Sequence, residues 1–211
     1  AVSCIMKLAQ LRDTALALAL VASTAAVGFV APRLIPFLAS AEQWLVDLRV
    51  TRLSASEPQH DRIVVVAINE ETLARLPYRS PIDRLFLADL LRHLDAARPA
   101  AIGIDILFDQ PTEAEKDAAL RQTLDTLKAP AVLAWADEAD GLTTRQAEFL
   151  ATFDQGLRLG WVTLLTDAYD GIPRWIYGGR PWHGQQVGSF PAAIVAAALG
   201  IDAEVGREAT P

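Results

Sequence analysis

The chain contains 211 residues, of which 52% are hydrophobic and 21% charged, a composition that supports a folded core and excludes a disordered protein. This length allows one domain plus a modest extra element and excludes a multidomain enzyme. The 26 acidic against 19 basic side chains give a net charge of −7, which argues against nucleic acid as a partner. The single cysteine, Cys4, excludes an intramolecular disulfide and any CxxC metal or redox motif.

The first element is an apolar segment without charged residues, from Thr14 to Ala31. As a helix at about 1.5 Å per residue, it spans roughly 27 Å, just enough to cross the hydrocarbon core of a bilayer. Three interpretations of this segment remain open. The segment is either an uncleaved membrane helix, or a signal peptide with an AxA pattern at Ala39, Ser40 and Ala41, or a buried helix of a soluble protein. We favour the uncleaved membrane helix.

The charges that flank this segment predict its orientation. Lys7 and Arg12 favour a cytoplasmic N-terminus over residues 1–13, with the transmembrane helix assigned to residues 14–38. Residues 42–58 are predicted to form a juxtamembrane helix and a polar linker, in which Trp44 is placed to anchor the helix at the membrane interface.

Three apolar runs then predict strands of a parallel sheet, separated by two amphipathic helices: Ile63–Ile68, Ala100–Phe108 and Ala131–Ala136. The first helix is predicted from Ser80 as N-cap, Pro81 at the first helical position and Asp83 at the third. The second is predicted from a capping box of Thr112 and Glu115. Strands that alternate with helices at this spacing imply right-handed crossovers between parallel neighbours.

The remainder of the chain predicts smaller elements. Thr143 and Gln146 cap a helix, Gly160–Leu165 forms a strand, a hairpin turns at Asp170 and Gly171, and Ser189–Leu199 is a helix that Gly200 terminates.

The fold class is therefore α/β: a mostly parallel sheet sandwiched by helices, with an antiparallel hairpin and one preceding transmembrane helix. We assign the folded domain to residues 59–200. Because the chain begins with Ala1 and stops at Pro211 in polar sequence, we expect residues 201–211 to begin a further part of a longer product.

Acidic and polar residues follow the first two predicted strands. In open α/β sheets ligands bind at the carboxyl ends of the strands, so these residues form a candidate ligand site. The candidate set is Asn69, Glu70, Arg84, Asp105 and Asp109. The alternative is that Asp105 is a buried acid bonded to loop amides and that the other acids are solvated loop charges.

Motifs for catalysis are missing from the sequence. The three histidines, His60, His93 and His183, lack the spacing of a zinc site, and there is no GxSxG, GxGxxG or P-loop pattern. We therefore assign no catalytic residue, metal or cofactor to this segment.

The order of several segments resembles the type 2 CHASE domain, the cyclases/histidine kinases-associated sensory extracellular module. These segments are WLVDLR, IVVVAINEETL, AAIGIDILFDQP, the helix near Lys116 and Asp117, LGWVTLLTDAYDGIPRW and VGSFPAAIVAAAL. The resemblance covers roughly Glu42 to Leu199. The chain departs from the family pattern in two places. Asn69 stands where an acid is usual, and Tyr78, Arg79 and Ser80 stand where the family has a WPW-like aromatic segment before the first helix.

The resemblance implies a sensory input module of a bacterial transmembrane receptor, periplasmic or extracellular and anchored in the inner membrane. Its output would be an adenylate or diguanylate cyclase, a histidine kinase or a serine/threonine kinase. By analogy with membrane receptors we expect a homodimer that responds to an unidentified small-molecule or protein stimulus. Two other functions stay open: a metal-dependent hydrolase that uses Glu70, Asp105 and Asp109, and a noncatalytic, membrane-anchored assembly subunit.

Overall fold

The computed structural model describes residues 2–56, 58–167, 170–182 and 184–201. The chain divides into two compact units, Ala1–Val64 and Val65–Pro211. Of the segment expected to begin a further part of the protein, residues 202–211 lie outside the described residues.

The first unit consists of two helices, α1 (Val2–Leu34) and α2 (Pro36–Leu53). The break between them lies at Ile35, whose φ of −116° and ψ of 102° are extended. Pro36 causes it, because a proline disfavours the helical conformation of the preceding residue and is well suited to open a helix. Within α1 the stretch Arg12–Ala31 has a mean hydropathy of 2.0 and is fully unburied, so it is long and apolar enough to cross a membrane.

The second unit is built around a parallel sheet of three strands in the order β1-β2-β3. The strands are β1 (Ile102–Ile104), β2 (Ala131–Trp135) and β3 (Arg158–Trp161). Both neighbouring pairs are parallel, with Gly103 opposite Val132 and Ala134 opposite Gly160. The crossovers contain α5 (Ala114–Thr126) and α6 (Thr144–Phe153), and α4 (Arg84–Ala96) precedes β1. The predicted α/β class with a mostly parallel sheet is confirmed.

Helices cover both faces of the sheet, as the alternation of side chains along the strands requires. On one face Leu133 and Trp135 join the main core with buried side chains of α4, α5 and α6. On the other face Val132 packs against Ala193 and Ala197 of α7 (Phe190–Leu199).

Close approach of α7 depends on glycines in the strands below it. A Cβ at Gly160 would lie 2.5 Å from the Cα of Phe190, and a Cβ at Gly103 would lie 2.4 Å from Cδ1 of Ile194. At Gly160 a larger residue would clash with the backbone of α7 and prevent this placement, whereas at Gly103 the nearest atom is the end of an isoleucine side chain.

The predicted first strand, Ile63–Ile68, is wrong. These residues form no strand, and Ile63, Val64, Val65 and Val66 are between 49% and 84% exposed. A β-branched run has a high propensity for a strand, but a strand also needs a partner that accepts its ladder hydrogen bonds. None of the described residues supplies that ladder here. Only Ile68, at the end of the run, packs against the main core.

Two other predicted strands differ in their bounds. The second is confirmed only over Ile102–Ile104, because the chain leaves the sheet before Phe108, which is buried among helices. The strand predicted at Gly160–Leu165 begins earlier, at Arg158, and ends at Trp161, so that Leu164 is 73% exposed.

Of the N-terminal caps predicted for α4, α5 and α6, only that of α6 has the predicted form. Thr143 and Gln146 form the expected capping box of α6. The N-cap of α4 is Asp83 rather than Ser80, since the carboxylate of Asp83 accepts hydrogen bonds from the N–H groups of Leu85 and Phe86. The helix α5 begins at Ala114 after Glu113, without the predicted Thr112–Glu115 box.

Thr112 bonds to a different acid. Its N–H and hydroxyl both donate to the carboxylate of Asp117, at 2.8 and 2.6 Å. Asp117, in the first turns of α5, is therefore the hydrogen-bond partner of Thr112, instead of the predicted Glu115.

Two hairpins follow the sheet. The predicted one is confirmed by β4 (Leu165–Thr166) and the antiparallel β5 (Pro173–Trp175), although Ala168 and Tyr169 within it lie outside the described residues. The second, formed by β6 (Gly179–Trp182) and β7 (Gln185–Gly188), was not predicted. A short α3 (Glu70–Leu73) and a 3₁₀ helix (Glu138–Asp140) complete the fold.

Replacing Gly171 with valine tests the turn of the first hairpin. Gly171 has a φ of +71°, which L residues rarely adopt, and no atom lies near the position of an added Cβ. The cost of Gly171→Val is therefore conformational rather than steric, and we expect a loss of about 1–2 kcal/mol in the free energy of unfolding. Chemical denaturation measures it, with the exposed neighbour changed in Ile172→Val as control. Equal stability of both variants would contradict this account of the turn.

Candidate functional site

Two open clefts flank the N-terminus of α4, close to the loop in which the sequence placed a ligand. The first has a volume of about 450 Å³ and is lined by Asn69, Glu71, Thr72, Arg75, Leu76 and Phe86. The second has a volume of about 670 Å³ and is lined by Leu85, Glu113, Ala114, Glu115 and Lys116. Both clefts combine charged and apolar side chains and are open to solvent.

A charged group, which we term the α4 cluster, consists of Tyr78, Asp83, Glu113 and Lys116. The ammonium Nζ of Lys116 lies 2.6 Å from Asp83 Oδ2, 2.9 Å from Glu113 Oε1 and 3.2 Å from the hydroxyl of Tyr78. Tyr78 in turn donates its hydroxyl proton to Glu113 Oε2 at 2.8 Å. All three donors of the ammonium are therefore occupied, and the cluster joins α4 to α5.

Mutual hydrogen bonding stabilises the charged forms of this cluster. Hydrogen bonds to Asp83 and Glu113 raise the pKa of Lys116, and hydrogen bonds from Lys116 and Tyr78 lower the pKa of Glu113. Burial by itself would raise the pKa of Asp83, but the hydrogen bonds from Lys116 and the N–H of Phe86 outweigh it and lower that pKa. The cluster therefore keeps two carboxylates and one ammonium at neutral pH.

Asp83 has two structural tasks that substitutions can separate. Its Oδ1 caps α4, and its Oδ2 accepts from Lys116. We expect Asp83→Ala to lose both interactions and to lower the free energy of unfolding by about 1–2 kcal/mol. Asp83→Asn keeps a capping oxygen and should lose less. Urea denaturation of both variants measures the difference, and equal losses would show that the cap contributes nothing.

Arg84 lies beneath the α4 cluster and is only 2% exposed. Its Nη2 donates to the carbonyl of Gln110 at 3.4 Å, and its Cζ lies 4.6 Å from the centre of the Phe108 ring. Its Nε is 3.4 Å from Asp117 Oδ1 without hydrogen-bond geometry. Burial lowers the pKa of Arg84, against the opposing effects of Asp117 and, more weakly, of Tyr78 and Asp109. This predicted site residue is therefore an interior group that supports the site and is not open to a ligand.

Asn69 and Glu70 are both exposed at the surface. Asn69 caps α3, because its Oδ1 accepts from the N–H and the hydroxyl of Thr72, both at 3.0 Å. Asn69 also lines the first cleft. Glu70 forms an exposed ion pair with Arg79 at 2.6 Å.

The two predicted aspartates after β1 have different surroundings. Asp105 is exposed and makes no hydrogen bond or ion pair with the residues that the structure describes, so the alternative of a buried acid bonded to loop amides is wrong. Asp109 accepts from Gln146 Nε2 of α6 at 2.5 Å. Within the described part of the chain, no three acidic, histidine or cysteine side chains come together as metal ligands.

A further charged group at the carboxyl ends of β2 and β3 was not predicted. Arg180 of β6 contacts Asp137 at 2.5 Å and Asp140 at 3.0 Å, and its Cζ lies 3.8 Å from the centre of the Trp161 ring. The acids directly follow the predicted strand Ala131–Ala136, so the rule applied to the first two strands would have found them. Nothing in the sequence pairs them with Arg180, which comes from a distant hairpin.

Comparison with known families gives one match. The family model described as the CHASE2 domain matches residues 16–209. That range contains most of the candidate membrane helix as well as α2 and every strand of the second unit. No curated protein matches the chain, and no solved structure does.

Proposed function

The chain belongs to the CHASE2 domain family, an extracellular sensory module of signalling receptors, and on that premise we propose that it is the input module of a bacterial transmembrane receptor. Its output on the cytoplasmic side is an adenylate or diguanylate cyclase, a histidine kinase or a serine/threonine kinase. The observation that carries this proposal is the family match, which extends from the apolar helix through the whole folded unit.

The first unit supports an anchoring role. The stretch Arg12–Ala31 meets the length and hydropathy of a membrane span, and its large apolar side chains, such as Leu20 and Phe29, are 70% and 66% exposed. A helix that leaves such side chains uncovered is suited to lipid. We place the N-terminus in the cytoplasm, the span in the inner membrane and the folded unit in the periplasm or outside the cell.

The clefts beside α4 are the proposed place of the stimulus. Asn69 and Glu70 lie at the accessible surface, whereas Arg84 and Asp109 support the loops from within. A ligand that binds one arrangement of α4 more tightly than another shifts the balance between the two. The signal is transferred when this change in the arrangement of α4 moves the segment of chain that leads back to α2.

We also propose that the receptor acts as a homodimer. Large apolar side chains remain exposed along α2, which is consistent with a second copy packing there; they include Trp44, Leu45, Val50 and Leu53. Cross-linking through cysteines introduced on α2 tests the dimer.

Topology reporters test the proposed function. Alkaline phosphatase needs disulfides and is active only outside the cytoplasm, whereas green fluorescent protein reports the cytoplasm. Fused after Gly200, phosphatase should be active, and fused before Arg12 the fluorescent protein should fluoresce. Phosphatase that is inactive after Gly200 would refute the sensor assignment.

Output measurements complete the test. Deletion of residues 62–199 from the full-length receptor should change its basal output or remove its response to the external medium. The matched control is Glu148→Gln, an exposed change on α6 outside the candidate site, which should leave both intact. A deletion that alters neither property would also refute the assignment.

A further inference from the structure

An unpaired carboxylate lies inside the folded unit, outside the candidate site. Asp154 ends α6 and is only 1% exposed, and both of its side-chain oxygens lack a hydrogen-bond partner among the described residues. It follows Phe153, whose ring packs 5.1 Å from that of Phe108. A buried carboxylate without hydrogen bonds is costly when charged, so this position favours the neutral acid.

Two cations act electrostatically on Asp154, and they differ in how much of their hydrogen-bonding capacity is used. Arg121 of α5 and Arg84 of α4 both favour its charged form. Arg121 already donates to the carbonyls of Phe153 and Gln155, at 2.6 and 2.8 Å, and pairs with Asp125.

Arg84 is the cation with unused hydrogen-bonding capacity. Its Nε makes no hydrogen bond among the described residues, and its Nη2 contact with Gln110 is long. It is also the first residue of α4, directly after the N-cap Asp83. A change in the position of Arg84 therefore acts on the helix that separates the two clefts.

We propose that the proton is a second stimulus of this sensor, beside a molecule bound in the clefts, and that Asp154 is the group that reads it. At low external pH the carboxyl O–H bond is intact, Asp154 is neutral, and Arg84 stays with Asp117 and Gln110. As the pH rises the proton leaves for the solvent, the remaining carboxylate competes with Asp117 for the Nε of Arg84, which makes no hydrogen bond, and the first turn of α4 loosens. The proposal rests on the sensor function proposed above.

The titration of Asp154 agrees with this geometry. Burial raises its pKa to about 7, against the lowering effects of Arg121 and Arg84. Protonation thus changes within the range of pH that an exported domain meets, whereas Asp83, Glu113 and Lys116 of the α4 cluster stay charged.

The direct test is a pH titration of the chain in lipid nanodiscs. Near-ultraviolet circular dichroism reports the packing of the buried tryptophans, and hydrogen exchange, corrected for the intrinsic pH dependence, reports the amides of Leu85 and Phe86. We expect one transition with a midpoint near pH 7 and faster exchange in the first turn of α4 above it. A signal that is constant between pH 5 and 9 would overturn the proposal.

Three variants locate the transition. Asp154→Asn is permanently neutral and should keep the low-pH spectrum of the wild type at every pH. Arg84→Gln removes a cation that favours the carboxylate and should move the midpoint up by about one pH unit. Glu148→Gln, an exposed change on the same helix α6, is the matched control and should titrate as the wild type does. A transition that persists in Asp154→Asn, or a midpoint in Arg84→Gln that is unchanged or lower, would assign the titration elsewhere.

The two proposals fail separately. If phosphatase fused after Gly200 is active but the chain shows no transition, the sensor assignment stands and the proton is not one of its stimuli. If the phosphatase is inactive, the sensor assignment fails even where Asp154 titrates. In the full-length receptor, output should differ between external pH 6 and pH 8, and Asp154→Asn should remove that difference. A difference that survives in this variant would overturn the proposal for Asp154.

Discussion

The folded unit is expected to lose up to about 4 kcal/mol of stability through Asp154 alone as the pH rises from about 4 to about 7, at about 1.4 kcal/mol per pH unit. The pKa of this carboxyl is about 7 in the folded state, where burial raises it from its ordinary value of 3.8. The unfolded chain exposes the group and restores the ordinary value.

The direction of this change in stability follows from how many protons the folded and the unfolded states bind. Between these two pKa values the folded state keeps the proton on Asp154 and the unfolded state has released it, so rising pH favours unfolding. Below the lower pKa both states are protonated, and above the higher one both are ionised, so the contribution levels off at each end. Asp83 and Glu113 act in the opposite sense at acidic pH, because hydrogen bonds from Lys116 lower their pKa values.

The difference between the wild type and Asp154→Asn isolates this effect, since other groups titrate alike in both proteins. Urea denaturation of the chain in detergent micelles, followed by tryptophan fluorescence, gives the free energy of unfolding at pH 5 and pH 8. Asp154→Asn should gain about 2 kcal/mol at pH 5 and about 4 kcal/mol at pH 8. A gain that is the same at both pH values would show that Asp154 is ionised in the folded state throughout.

Trp161→Ala is expected to lower the free energy of unfolding by about 3–5 kcal/mol, the range for loss of a large buried aromatic side chain. Trp161 is 1% exposed at the end of β3. Its ring centre lies 6.2 Å from that of Trp135 and 6.0 Å from that of Trp182. Its Nε1 donates to the carbonyl of Arg180 at 3.1 Å, so the side chain also holds the second hairpin against the sheet.

Leu164→Ala is the control, because it truncates a large apolar side chain that is 73% exposed just after β3. We expect Leu164→Ala to change the free energy of unfolding by less than about 0.5 kcal/mol. A third variant, Trp161→Phe, keeps an aromatic ring but loses the hydrogen bond and should fall between the other two. Similar losses in Trp161→Ala and Leu164→Ala would contradict the packing described here.

The candidate site was predictable only in part. The rule that ligands bind beyond the carboxyl ends of parallel strands led to Asn69 and Glu70, but the strand predicted before them does not form. Asn69 lines an open cleft, and Glu70 pairs with Arg79 at the surface. The rule did not reveal that Lys116 organises the neighbouring acids, because Tyr78, Asp83 and Lys116 are up to 38 residues apart and meet only when α4 packs on α5. Arg84 was named as a candidate but lies in the interior, a fact that depends on Phe108 and Asp117 covering it.

Short-range patterns in the sequence determined the α/β class, the helix of membrane-spanning length, the capping box of Thr143 and Gln146, the turn at Gly171 and the end of α7 at Gly200. These features depend on periodicity and on bonds between near neighbours, and the succession of motifs was distinctive enough to indicate the family. Only the tertiary structure decided that Ile63–Ile68 stays out of the sheet and that Asp154 is enclosed without a hydrogen bond. Strand pairing and the burial of a charge depend on residues that are distant along the chain, and their packing decides which groups find a partner.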